Sequence, residues 1–111
     1  EKFVSLILIL RLLSVFDTLE SAQSHLKDQG LAIVLVEFRK VLEEEGLEEV
    51  RPAEGEKFNH DIHEAVELVE GGEKGKIAES VLSGWKFKAG AGLPAGRQLV
   101  RVAKVKVYKG K

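Results

Sequence analysis

The sequence predicts an α+β protein: a helical segment that forms a dimeric four-helix bundle, followed by a small β-rich domain. Three observations carry this. Leu31, Val34, Leu35, Phe38, Val41 and Leu42 recur at helical spacing. Alternation of apolar and polar residues over Leu99–Tyr108 has the period of a half-buried strand. The character of the chain changes near Arg51-Pro52, which separates the two patterns. With 111 residues there is room for one domain or two small dependent ones, and the expected division is 1–46 and 47–111.

Residues 3 to about 27 read as the first helix. The run "FVSLILILRLLSVF" (Phe3–Phe16) resembles a signal-peptide core, but Arg11 interrupts it and no small-residue cleavage site follows. It is also shorter than the roughly 20 apolar residues that a bilayer requires. Leu12, Phe16, Leu19 and Leu26 continue one stripe beyond it, so a buried helix is expected. A second helix follows Gly30 and stops at Gly46. Two such helices on a short link pack as an antiparallel pair. The first is apolar on more than one side, which calls for a second copy and a four-helix bundle. The sequence starts at Glu1 and contains no Met, so the natural N-terminus is expected to lie further upstream.

Beyond Pro52, residues 53–57 read as a polar loop. Asn59 is placed to cap a short helix from His60 to about Val66. Gly71-Gly72 marks a turn, and Lys86–Lys88 is β-like. Residues 76–84 have a period compatible with a helix. In the last segment Leu99, Arg101, Ala103, Val105 and Val107 share one face. Ala89–Gly96 is a turn-rich loop.

Composition narrows the function classes. Net charge is −1, so no overall field draws the chain to nucleic acid or membrane, and neither partner is expected. Charge is nonetheless uneven: from Arg97 onward there are six basic residues and no acid. A basic strand edge there leaves an RNA-binding dimer as the alternative function. The absence of cysteine excludes disulfides, zinc-thiolate sites and Cys nucleophiles, and fits a reducing, cytoplasmic setting.

The stretch "KFNHDIHEAV" (Lys57–Val66) holds the one cluster that resembles a chemical site. On a helix His60 and His63 would share a face with Asp61 or Glu64 nearby, as a metal requires. A third firm ligand is missing, since His25 belongs to the helical half. No Ser-His-Asp arrangement can be assembled. The glycines at 90–96 lack the Gly-Lys-Ser/Thr ending of a phosphate loop and do not open a helix. No catalytic residue, cofactor or metal is therefore expected, and the protein reads as a binding protein and not an enzyme.

Four stretches, in order, resemble the GrpE family of nucleotide exchange factors. "LLSVFDTLESA" (Leu12–Ala22) is similar to the family's Leu-Leu-Pro-Val-x-Asp-x-Leu-x-x-Ala helix, with Ser14 in place of proline. "GLAIVLVEFRKVLEEEGLEEV" (Gly30–Val50) resembles the second bundle helix and the link beyond it. "KFNHDIHEAVELVE" (Lys57–Glu70) is similar to the signature built around His-Glu-Ala-Val. "GWKF" (Gly84–Phe87) with "LVRVAKVKV" (Leu99–Val107) resembles the closing hairpin.

The resemblance implies a homodimeric cochaperone of protein folding and the stress response. It would bind the ATPase domain of a DnaK-type chaperone and promote ADP release. His63, Glu64, Ala65 and Val66 would then be a structural signature, with His60 standing at a usual proline position. Gly30, Phe58, Val81, Arg97 and Val107 would match chaperone-contacting positions or their support. The resemblance also makes 76–84 a strand, and implies a long N-terminal helix upstream. Lys88–Gln98 replaces the family's short final turn, an insertion at the surface expected to probe the chaperone's cleft.

Overall fold

The computed structural model describes residues 6–88 and 99–110. The Lys88–Gln98 insertion beyond Lys88, with its turn-rich loop Ala89–Gly96 and the candidate residue Arg97, lies outside the described residues. The chain divides into two compact units, Glu1–Gly46 and Leu47–Lys111.

The first unit is two helices, α1 (Leu6–Leu26) and α2 (Gln29–Glu44). Lys27, with φ 51°, breaks α1. Asp28 caps α2 through its carboxylate, which accepts the Leu31 N–H at 2.8 Å. The Gln23 side chain holds this link at both ends: it accepts from Asp28 N–H and donates to Asp28 C=O, each at 3.0 Å. α2 thus returns along α1. Phe16 meets Phe38 with centroids 5.3 Å apart, Arg39 lies over the Phe16 ring, and its guanidinium pairs with Glu20. Leu13, Phe16, Leu35 and Leu42 are buried. Gly46, at φ 95°, ends the helical unit in a conformation that disfavours any side chain.

Among the described residues the second unit has six strands: β1 (Leu47–Val50), β2 (His63–Val69), β3 (Ile77–Leu82), β4 (Gly84–Phe87), β5 (Leu99–Arg101) and β6 (Ala103–Tyr108). They form two three-stranded sheets, ordered β1-β4-β5 and β2-β6-β3. The first is antiparallel, with Leu47 opposite Phe87 and Trp85 opposite Arg101. In the second, β6 runs parallel to β2 and antiparallel to β3. Ala103, Val105 and Val107 alternate inward from β6 and pack with Val50 and Ile77, while Phe58 and Ile62 close the cluster. The α+β class and the helix-then-sheet order are as the sequence predicts.

Three expectations require correction. The helix from His60 to Val66 does not form. Asn59 caps a single turn, accepting Asp61 N–H on its side chain and His63 N–H on its carbonyl. The chain then extends, because β2 gains a ladder with β6 that a short isolated helix cannot match. Within 76–84, Ile77–Leu82 is strand, as the resemblance implies, although period alone would also allow a helix. Leu99–Tyr108 is not one strand: it breaks at Val102, and its halves serve different sheets. The basic strand is not an edge. β6 is the central strand of its sheet, and Lys106 lies 3.6 Å from Glu67 and 3.7 Å from Glu79. The outer edge of β3 is covered at its first residue by residues 55–56, through Gly55 N–H to Ile77 C=O and Ile77 N–H to Glu56 C=O, both 2.8 Å. β6 therefore offers no basic edge for the RNA alternative, whereas β5, which carries Arg101, is the outer strand of the first sheet.

No described helix is long and apolar enough to cross a membrane.

Candidate functional site

The His63 signature is built by the turn that starts β2. Asn59 N–H donates to His63 Nδ1 at 3.0 Å, and His63 N–H returns to Asn59 C=O at 2.8 Å. This pair fixes the tautomer: Nδ1 is the acceptor, so the neutral ring carries its proton on Nε2. His63 is 6% exposed and its ring lies 5.8 Å from Phe58. Burial holds the imidazole below its ordinary pKa of 6.5, with Glu56 pulling weakly the other way. His60, three residues earlier, is exposed in the turn and lies 3.3 Å from Asp61. The two histidines do not share a helix face, because no helix is there. Among the described residues no three His, Asp or Glu side chains gather as a metal would require. Glu64, Ala65 and Val66 are exposed along β2, and a bulge follows Ala65. His63 therefore anchors the start of the strand, and its three neighbours present it to solvent.

The other candidate positions fall into two kinds. Gly30 is exposed and sits in the first turn of α2, beyond the inter-helix link. A Cβ at Gly30 would lie 3.0 Å from the capping oxygen of Asp28, so a side chain there presses on the cap itself. Val81 is 47% exposed on β3, at a bulge opposite β6. Phe58 and Val107 face inward. Val107 is 6% exposed in the core cluster, and Phe58 packs against that cluster. Their side chains shape the surface from beneath it. Gly30 belongs to the helical unit and the other described positions to the β unit.

The sequence reading passed over a polar cluster around Ser83. Its hydroxyl donates to Glu49 Oε2 at 2.5 Å and accepts from Arg51 Nη1 at 2.8 Å. Its carbonyl accepts from Arg101 Nε at 2.9 Å. The residue is 1% exposed. The only hint in the sequence is the Ser83-Gly84 pair between two β-like runs.

The family model of GrpE matches residues 1–109. Similar proteins include Protein GrpE of Methanothermobacter thermautotrophicus, 43% identical over 84 residues, which are 72% of this chain and 48% of that protein. Protein GrpE of Thermoplasma volcanium is 32% identical over 102 residues, 92% of this chain and 53% of its own. Protein GrpE of Nitratiruptor sp. is 33% identical over 93 residues, 82% and 47%. The chain spans about half the length of the relatives it matches. The ordered blocks, the helix pair and the two-sheet unit agree with this match along nearly the whole sequence, and the chain belongs to the GrpE family.

Proposed function

We infer that this chain is a nucleotide exchange factor, a cochaperone that binds the ATPase domain of a DnaK-type chaperone and promotes ADP release. The family match over residues 1–109 carries the inference. No bond is made or broken in such an activity, and the chain needs no cofactor. The factor has only to bind the open nucleotide cleft more tightly than the closed one. Moving a cleft from 1:99 to 99:1 open requires about 10⁴-fold differential affinity, about 5.5 kcal/mol.

The helical unit is read as the dimerisation region and the β unit as the part that contacts the chaperone. Two copies would form a homodimer through a four-helix bundle, in the cytoplasm. An apolar groove along the helix pair, lined by Leu12, Val34, Phe38, Val41 and Leu42, supports this reading. So does the exposure of Leu6, Ile7, Leu8, Val34 and Val41, which an isolated helix pair leaves in water. On the chaperone side, exposed Gly30 and Val81 are proposed to touch the partner. Phe58 and Val107 would support the contact surface from the core. Arg97 is proposed as a contact on sequence resemblance alone.

The test is complex formation. Light scattering on a mixture with the nucleotide-free ATPase domain of a DnaK-type chaperone should give a complex containing two copies of this chain, and added ADP should weaken it. Failure to bind the nucleotide-free domain would refute the reading.

A further inference from the structure

The chain passes between the two sheets of the β unit three times, once through the long link from β1 to β2 and twice through single-residue crossings. Ser83 links β3 of one sheet to β4 of the other, and Val102 links β5 back to β6. The two crossings lie against each other. A Cβ built on Gly84 would fall on Ala103 N and lie 2.7 Å from Val102 C and 2.8 Å from Arg101 O. No side chain fits between the crossings, so backbone rests directly on backbone.

Ser83 is gripped from both sides at this point. Glu49 and Arg51, on and just after β1, take its hydroxyl. Arg101, the last residue of β5, takes its carbonyl. Every one of these partners comes from the first sheet or its immediate end, while the residue they hold is the last before that sheet begins. Hydrogen bonds that involve a charged group are shorter and stronger than neutral ones, and here three charged groups converge on one buried residue. The link into the first sheet is thus held at one polar point around a buried serine, whereas the apolar cluster around Val105 consists mainly of residues of the second sheet, with Val50 from the first.

We propose that Ser83, held by Glu49, Arg51 and Arg101, is a positioning residue that fixes the angle between the two sheets and makes the paired strands β4 and β5 a rigid lever. The role of the lever rests on the exchange-factor reading. A strand pair that pivots freely can still touch the chaperone, but it transmits less of its binding preference to the cleft. Loosening the clamp should therefore lower the limiting rate of ADP release more than the concentration needed for half-saturation.

The chain has no native cysteine, so spin labels can be placed cleanly at Glu48→Cys in the first sheet and Glu64→Cys in the second. Both positions are exposed. In the Ser83→Ala variant the label-to-label distance distribution should broaden while far-UV circular dichroism stays that of the parent. Arg51→Gln, at an exposed site, provides a second variant if Ser83→Ala fails to fold. Glu49→Ala should behave like Ser83→Ala, and Glu49→Gln, which keeps an acceptor for the hydroxyl, should restore the parent's behaviour. In ADP release from a DnaK-type ATPase domain, the loosened variants should lose about tenfold in limiting rate, with half-saturation within about twofold of the parent. A distance distribution unchanged in the loosened variants overturns the proposal. So does a broadened distribution with a parental limiting rate. A parent that releases no ADP defeats the exchange-factor reading and the lever with it, while the spin-label distances separately decide whether Ser83 fixes the sheets.

Discussion

Gly84→Ala places a methyl group where two backbones already touch. The atoms it meets belong to Arg101, Val102 and Ala103, at 2.7 Å for Val102 C and 2.8 Å for Arg101 O. Flexible side chains can rotate away from a clash, but these atoms move only if β5 and β6 move. Overpacking a well-packed site costs about 1–3 kcal/mol, and a backbone obstacle places this change at or above the upper end. For a unit of this size each kcal/mol lowers the melting temperature by roughly 4–8 °C, so a fall of roughly 12–24 °C is expected. Gly46→Ala is the control. That residue has φ 95° and open space around its Cβ position, so the change adds only the strain of a left-handed backbone, about 1–2 kcal/mol. The assay is thermal unfolding followed by far-UV circular dichroism and by emission of Trp85, the single tryptophan, which is buried and adjacent in sequence. Gly84→Ala should melt well below Gly46→Ala and show a red-shifted emission. Melting within about 3 °C of the parent, with unshifted emission, would refute the reasoning about the crossing.

Phe38→Asp puts a carboxylate in the apolar groove of the helix pair and removes the ring that packs on Phe16. It should cost several kcal/mol and yield a monomer by sedimentation; a parent that is itself monomeric at micromolar concentration would exclude the bundle. His63 supplies a pH dependence. Its folded pKa lies below 6.5, so the unfolded chain binds the extra proton more readily. Stability should be complete above pH 6.5 and decline below it, by at most about 1.4 kcal/mol per pH unit from this group. An imidazole titration that places His63 above 6.5 would contradict this. Zinc should not be retained after dialysis. Stoichiometric zinc that is lost on replacing His60 and His63 with alanine would overturn the assignment of His63 as a strand anchor.

The helices were legible because their signal is local: the Leu31–Leu42 stripe and the Gly46 stop lie within a few turns of each other. The inward face of β6 was legible for the same reason, through Ala103, Val105 and Val107. The break at Val102 was not, since alternation runs through it unchanged. The close approach of this break to Gly84 exists only in the folded chain. Asn59 misled because an asparagine that caps one turn looks the same as one that caps a helix. The outcome was decided by the parallel pairing of β2 with β6, about 40 residues on. The lysines of β6 suggested an edge because charge on a strand often marks one, and the flanking Glu67 and Glu79 became relevant only once the strand order was known. The signature at His63 was recognised through the family. Its physical content, a buried neutral ring accepting a backbone N–H, belongs to the folded turn. The Ser83 cluster draws on Glu49, Arg51 and Arg101, which no single periodicity joins.

The central claim is that binding of this chain opens a nucleotide cleft. Its most direct test is stopped-flow release of fluorescent ADP from the ATPase domain of a DnaK-type chaperone, with excess unlabelled nucleotide as a trap. The account predicts that release accelerates with increasing concentration of this chain and saturates. It also predicts that a loosened Ser83→Ala clamp lowers the plateau while leaving half-saturation nearly in place. A release rate independent of this chain's concentration, in a mixture where light scattering shows the complex to be formed, would contradict it.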